Sequence, residues 1–167
     1  MAGVSNHMTL PDAQLTLIDG TPTNFSAFAG KVVLVVNVAS RCGLTPQYGA
    51  LEALQEKYGP RGFTVLGLPS DQFKQELKTA TDVAEYCSTT WGVTFPMTQI
   101  VKVNGRNRHP LYKELVKTKD RAGLAGPVLW NFEKFLVLPN GEIHRFRPTT
   151  KPDDQDIVSL IEANLPA

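Results

Sequence analysis

From Lys31 to Pro46 the chain reads Lys31-Val32-Val33-Leu34-Val35-Val36-Asn37-Val38-Ala39-Ser40-Arg41-Cys42-Gly43-Leu44-Thr45-Pro46. The near-continuous run Val32 to Val38 has the pattern of a strand covered on both faces. Thr45-Pro46 reads as a helix start, with Thr45 as N-cap and Pro46 in the first helical position. Leu51, Leu54 and Tyr58 then recur at helical spacing until Gly59-Pro60. A second short buried strand is expected from Gly62 to Leu68. Strand, helix and strand in this order form a parallel βαβ unit.

Other elements extend from that unit. Upstream, Leu15 to Ile18 and Thr23 to Phe25 flank Asp19-Gly20, a hairpin turn. Downstream, Asp82 opens a helix with Glu85 three residues on, as in a capping box, and it runs through Cys87 to about Trp91. Leu111, Leu115 and Val116 mark a short helix after Pro110. Phe132 to Leu138 and Glu142 to Phe146 are joined through Asn140-Gly141, a strong hairpin signal. Ile157, Leu160, Ile161 and Leu165 form a closing helical stripe, with Asp153, Asp154 and Asp156 placed for its N-terminus. An early parallel unit and a late antiparallel hairpin imply an α/β fold with a mixed central sheet flanked by helices.

Composition narrows the function classes. At 167 residues the chain fits one domain, 1–167, large enough for a core without metals or staples. With 42% hydrophobic and 20% charged residues it reads as globular, and its net charge of +1 offers no field for nucleic acid or an anionic membrane. No apolar run approaches the roughly 18–20 residues of a membrane span. The opening MAGVSNHMTLPD has no basic start followed by an apolar stretch, so no secretion signal is expected. Two cysteines, Cys42 and Cys87, are too few for a disulfide scaffold, and a cytoplasmic location is expected. His7, His109 and His144 share no metal-ligand spacing with them, and neither a GxGxxG nor a P-loop is present. No metal or cofactor is expected.

Cys42 lies between a strand end and a helix start, where α/β folds place their sites. A helix N-terminus offers unpaired N–H groups and partial positive charge, to which Arg41 adds; both favour a thiolate. Gly43 allows a sharp turn and close backbone approach. Position alone equally suits an inert packing cysteine. Cys42-Gly43-Leu44-Thr45, however, is a Cys-x-x-Cys redox motif with Thr in the second place, which leaves a lone nucleophile.

The stretch Asn37 to Thr45 closely resembles the active-site block of the glutathione peroxidase family in its cysteine form. The likeness continues through Gly67-Leu68-Pro69-Ser70-Asp71-Gln72-Phe73, Trp91 to Met97, Val103-Asn104-Gly105 and Trp130 to Val137, in family order over nearly the whole chain. Asp71 stands where the family usually carries Asn, and Lys74-Gln75-Glu76-Leu77 replaces a Gly-rich continuation. The resemblance implies a thioredoxin-like fold and a catalytic tetrad of Cys42, Gln72, Trp130 and Asn131. Neutral amide and indole donors suit a sulfur that attacks a peroxide oxygen.

Cys87 resembles the resolving cysteine of two-cysteine members, which thioredoxin typically reduces in place of glutathione. The implied cycle takes Cys42 to a sulfenic acid, condenses it with Cys87 to a disulfide, and returns both thiols through thioredoxin. Bridging needs Cα atoms within about 7 Å, so the segment around Cys87 is expected to unwind locally. Hydrogen peroxide and organic or lipid hydroperoxides are the implied substrates. The short stretch Thr118 to Val128 suggests a monomer, because longer insertions there accompany oligomers in the family. A peroxide sensor, or a thioredoxin-like protein acting on protein thiols, is the alternative; Thr45 in place of a second motif cysteine weighs against the latter.

Overall fold

The computed structural model describes residues 10–167. The readings made on residues 1–9, His7 among them, lie outside these. The elements are β1 (Gln14–Thr16), β2 (Pro22–Asn24), β3 (Val32–Val38), α1 (Gln47–Tyr58), β4 (Phe63–Pro69), α2 (Ala80–Tyr86), α3 (Pro110–Leu115), β5 (Lys134–Val137), β6 (Ile143–Phe146) and α4 (Gln155–Asn164).

β3 lies inside a four-stranded sheet of order β4-β3-β5-β6. It runs parallel to β4, with Val32 opposite Phe63 and Val38 opposite Pro69. It runs antiparallel to β5, with Val33 opposite Val137 and Val36 opposite Lys134. β6 completes the sheet antiparallel to β5. This is the mixed sheet expected from an early βαβ unit and a late hairpin. β1 and β2 form a separate antiparallel hairpin, with Gln14 opposite Asn24.

The period of two along β3 distributes its side chains to two apolar layers. Val32, Leu34, Val36 and Val38 pack with Leu51, Leu54 and Tyr58 of α1 and Ile157 and Ile161 of α4. Val33 and Val35 face the other way, to Leu66, Phe135, Leu111, Tyr112 and Leu115. Helices therefore cover both faces, and all seven residues of β3 are buried.

Two helix starts differ from the sequence expectation. α1 begins at Gln47, after Pro46, and Thr45 does not cap it. The Thr45 hydroxyl turns back instead, accepting from the Cys42 N–H at 2.9 Å and donating to the Ala39 carbonyl at 2.9 Å. α2 is capped by Thr79, whose hydroxyl accepts from the Asp82 N–H at 3.1 Å, so Asp82 sits inside the first turn. The chain then widens into a π-helical turn, Cys87–Trp91, and ends at Gly92 with φ 62°. Such turns are uncommon and often mark functional positions.

The strand directions bring three loops together. β3 and β4 both finish at one end of the sheet, where antiparallel β5 begins. The loops after Val38, after Pro69 and before Lys134 meet there.

Candidate active site

Cys42 belongs to the first loop, four residues beyond the end of β3, and only 8% of it is exposed. The Leu44 N–H points at its sulfur, 3.3 Å away. A thiolate accepts such a bond better than a thiol does. The Thr45 hydroxyl ties both ends of this turn, so the sulfur is held by the backbone around it.

The second loop lies against the first. The Arg41 N–H donates to the Gln75 carbonyl at 2.9 Å, and the Ser40 N–H donates to Glu76 Oε1 at 3.0 Å. Glu76 Oε1 also accepts from the Leu77 N–H at 2.8 Å. Lys74, just before this clasp, has φ 63° in the left-handed region that favours glycine. The chain reverses there without one.

The third loop carries Trp130 and Asn131. Asn37, the one polar residue of β3, anchors it from below: its Nδ2 donates to the Trp130 carbonyl at 3.1 Å and its Oδ1 accepts from the Glu133 N–H at 3.1 Å. The Phe132 N–H donates to the Asn37 carbonyl at 2.6 Å. Phe132 has φ 66°, a conformation costly for an aromatic residue. Lys134, fully buried, holds that turn by donating to the carbonyls of Phe132 at 2.6 Å and Pro148 at 3.0 Å. Burial lowers its pKa to about 7. Next to it, Glu133 accepts from Arg145 and, at 2.6 Å, from Arg147, while Arg145 reaches the carbonyls of Thr118 and Pro127. The loop leading to Trp130 is thus pinned to the sheet edge.

The structure brings Asn131 to Gln75: the Asn131 Nδ2 donates to Gln75 Oε1 at 3.2 Å. The Gln72 amide, which the resemblance placed in the tetrad, is hydrogen-bonded elsewhere. Gln72 Oε1 accepts from the N–H groups of Val103 at 2.7 Å and Asn104 at 2.9 Å, and its Nε2 donates to the Asn104 carbonyl at 3.0 Å. An amide so occupied has little left to offer a substrate. Asn104 in turn pairs with both backbone groups of Val128, two residues before Trp130. Gln72 is thus linked through Asn104 to the chain just before Trp130, and Phe73 packs on the Trp130 ring at 5.3 Å between centroids. Two glutamines three residues apart carry no sequence signal that separates them; the loop path does.

Cys87 is a free thiol, 1% exposed, on the π-helical turn. Burial raises its pKa to about 11, against a smaller lowering by the Tyr48 hydroxyl. Tyr48 stacks on Trp91 and Phe95 and meets the edge of Phe132. Tyr48 carries no signal of its own in the sequence, and Glu76 appears there only within the Lys74–Leu77 departure from the family pattern. Among the described residues no group of His, Cys, Asp or Glu converges as a metal site would. Asp71 is exposed, as is the Arg41 side chain.

Comparison with known proteins adds a lineage to this geometry. The family model described as glutathione peroxidase matches residues 11–116. The chain is 46% identical to the thioredoxin/glutathione peroxidase BtuE of Escherichia coli K12, over 89% of this chain and 92% of that protein. It is 47% identical to the hydroperoxy fatty acid reductase gpx1 of Synechocystis, over 86% and 90%. The crystal structure of Trgpx in its apo form matches with a TM-score of 0.71 at 36% identity, covering 95% of this chain and 99% of that one.

Proposed function

Because the chain belongs to the glutathione peroxidase family, we propose that it is a thiol peroxidase that reduces hydrogen peroxide and organic or lipid hydroperoxides. The observation that carries this is the Cys42 sulfur, held at the sheet end with the Leu44 N–H aimed at it. The Cys42 thiolate attacks the peroxide oxygen: an S–O bond forms, the O–O bond breaks, and the leaving oxygen takes a proton as water or alcohol. Cys42 becomes a sulfenic acid.

Asn131, Trp130 and Gln75 are the neutral donors for this step. Gln75 takes the place assigned in sequence to Gln72, since its Oε1 is held by Asn131 and its Nε2 is left to donate. Cys87 then resolves the sulfenic acid as a Cys42–Cys87 disulfide, which a thioredoxin-type dithiol reduces by exchange. In the structure Cys87 is buried, so the π-helical turn has to open for this. The name of the Escherichia coli relative, with both reductants in it, supports thioredoxin or glutathione as the electron source.

We read the chain as a single-domain monomer, from the short stretch Thr118 to Val128, and as cytoplasmic, from its two cysteines. The deciding experiment is peroxide-dependent NADPH oxidation with thioredoxin and its reductase, on wild type, Cys42→Ser and Cys87→Ser, with a glutathione arm in parallel. Thioredoxin-driven turnover is expected, and both variants lose it. Glutathione turnover that survives Cys87→Ser would remove the resolving role and keep Cys42. No turnover in either arm would move the sensor reading to the front.

A further inference from the structure

The Gln75–Glu76 dipeptide is bonded to the Cys42 loop. The Gln75 carbonyl is clasped to Arg41 and the Glu76 side chain to Ser40, immediately before Cys42. Gln75 faces Asn131. Glu76, the next residue, is buried: Oε1 is held by two N–H groups, but Oε2 has no hydrogen-bond partner. That carboxyl acts electrostatically on both Cys87 and Tyr48, and the buried Tyr48 hydroxyl, like Glu76 Oε2, has no hydrogen-bond partner. A buried carboxylate with a free oxygen, beside a buried thiol, has no structural need that a Gln would not meet.

We propose that Glu76 accepts the proton of Cys87 when it resolves the Cys42 sulfenic acid, and returns it to the departing hydroxide. The Cys87 S–H proton passes to Glu76 Oε2. The Cys87 thiolate, steadied by the Tyr48 hydroxyl, attacks the Cys42 sulfur. The S–S bond forms as the S–O bond breaks, Cys87 is oxidised and Cys42 reduced, and the hydroxide leaves as water with the proton from Glu76. No outside reactant is needed. Because the clasp fixes Glu76 to the Cys42 loop, the carboxyl stays beside Cys42 while the π-helical turn brings Cys87 toward it. This inference rests on the two-cysteine reading above.

The groups around the carboxyl suit the task. Burial raises the Glu76 pKa, against the Ser40 and Leu77 hydrogen bonds that lower it, and Asp71 on the same loop raises it further. Tyr48 of α1 and Cys87 of the π-helical turn interact electrostatically with it, and Tyr86 of α2 acts on Tyr48 in turn. A carboxyl titrating above its usual range is a better proton acceptor near neutrality.

The test is a stopped-flow reaction of reduced protein with hydrogen peroxide, separating the peroxide-dependent oxidation of Cys42 from the peroxide-independent resolution. Samples are quenched and alkylated to identify the disulfide by mass. In Glu76→Gln, which keeps the acceptor for Ser40 and Leu77, resolution is expected to slow roughly 10²-fold more than oxidation. Wild-type resolution rises with pH through an acidic limb that Glu76→Gln lacks, and Glu76→Asp recovers part of it. Tyr48→Phe, which removes only the hydroxyl, slows resolution about ten-fold. Unchanged resolution and pH profile in Glu76→Gln, or an equal fall in both phases, overturns the proposal. A wild type that forms no Cys42–Cys87 disulfide overturns the two-cysteine reading itself, a result distinct from a disulfide that forms without help from Glu76.

Discussion

Gln75 Oε1 accepts a hydrogen bond from Asn131 Nδ2 at 3.2 Å, joining two loops 56 positions apart in the chain. The bond orients both amides. It commits the Gln75 carbonyl and leaves its NH₂ group as a donor. Gln72, three residues earlier, is spent on the backbone of Val103 and Asn104.

These two glutamines should therefore fail differently. On the mechanism proposed above, Gln75→Ala removes a neutral donor to the reacting oxygen, and kcat/KM for peroxide should fall about 10²-fold with little loss of stability. Gln72→Ala removes three hydrogen bonds to the loop behind Trp130 and should cost about 1–3 kcal/mol of stability. Stopped-flow oxidation rates and urea unfolding on both variants separate the two. A larger rate loss in Gln72→Ala would return the role to Gln72.

The reduced cysteines should differ in alkylation. With its pKa at about 11, Cys87 is about one-thousandth thiolate at pH 8, and it is buried as well. Iodoacetamide followed by peptide mapping should label Cys42 well before Cys87. Urea should remove the delay. Equal labelling of the native protein would mean that the π-helical turn is already open.

Lys134 gives stability a pH dependence of defined sign. Its folded pKa of about 7 lies below the roughly 10.4 of an unfolded lysine. Between those values the unfolded chain binds the extra proton, so this group makes stability rise with pH. From pH 7 to 9 the gain is about 2 kcal/mol. Lys134→Met should lose that rise, as read by urea unfolding at the two pH values. A variant as pH-dependent as wild type would mean that the ammonium is solvated in the folded state.

Glu133 and Arg145 are both fully buried. Glu133→Ala leaves the guanidinium buried with only carbonyls to accept from it, and should destabilise by about 3–5 kcal/mol. The loop before Trp130 should loosen with it, since Arg145 also holds Pro127 and Thr118. Thermal unfolding checks the first effect, and Trp130 fluorescence in a Trp91→Phe background checks the second. A loss below about 1 kcal/mol would place the pair in solvent contact.

The unbroken apolar run of β3, the helical spacing of Leu51, Leu54 and Tyr58, and the Asn140-Gly141 turn were enough to place the sheet and its neighbours, because each is a local pattern with its own period. The position of Cys42 at a strand end was equally legible. Tertiary structure decided the rest. Thr45 reads as a helix cap, yet its hydroxyl serves the Cys42 turn, because a buried N–H and a buried carbonyl there need partners more than an exposed helix start does. Gln72 and Gln75 look alike in the chain. They separate only when the loop after β4 reverses at Lys74 and its path presents one amide to Asn131 and the other to Asn104. Local pattern determines which face of an element is buried; which loop side chains meet depends on strand order and direction, and these are set by the packing of the whole sheet.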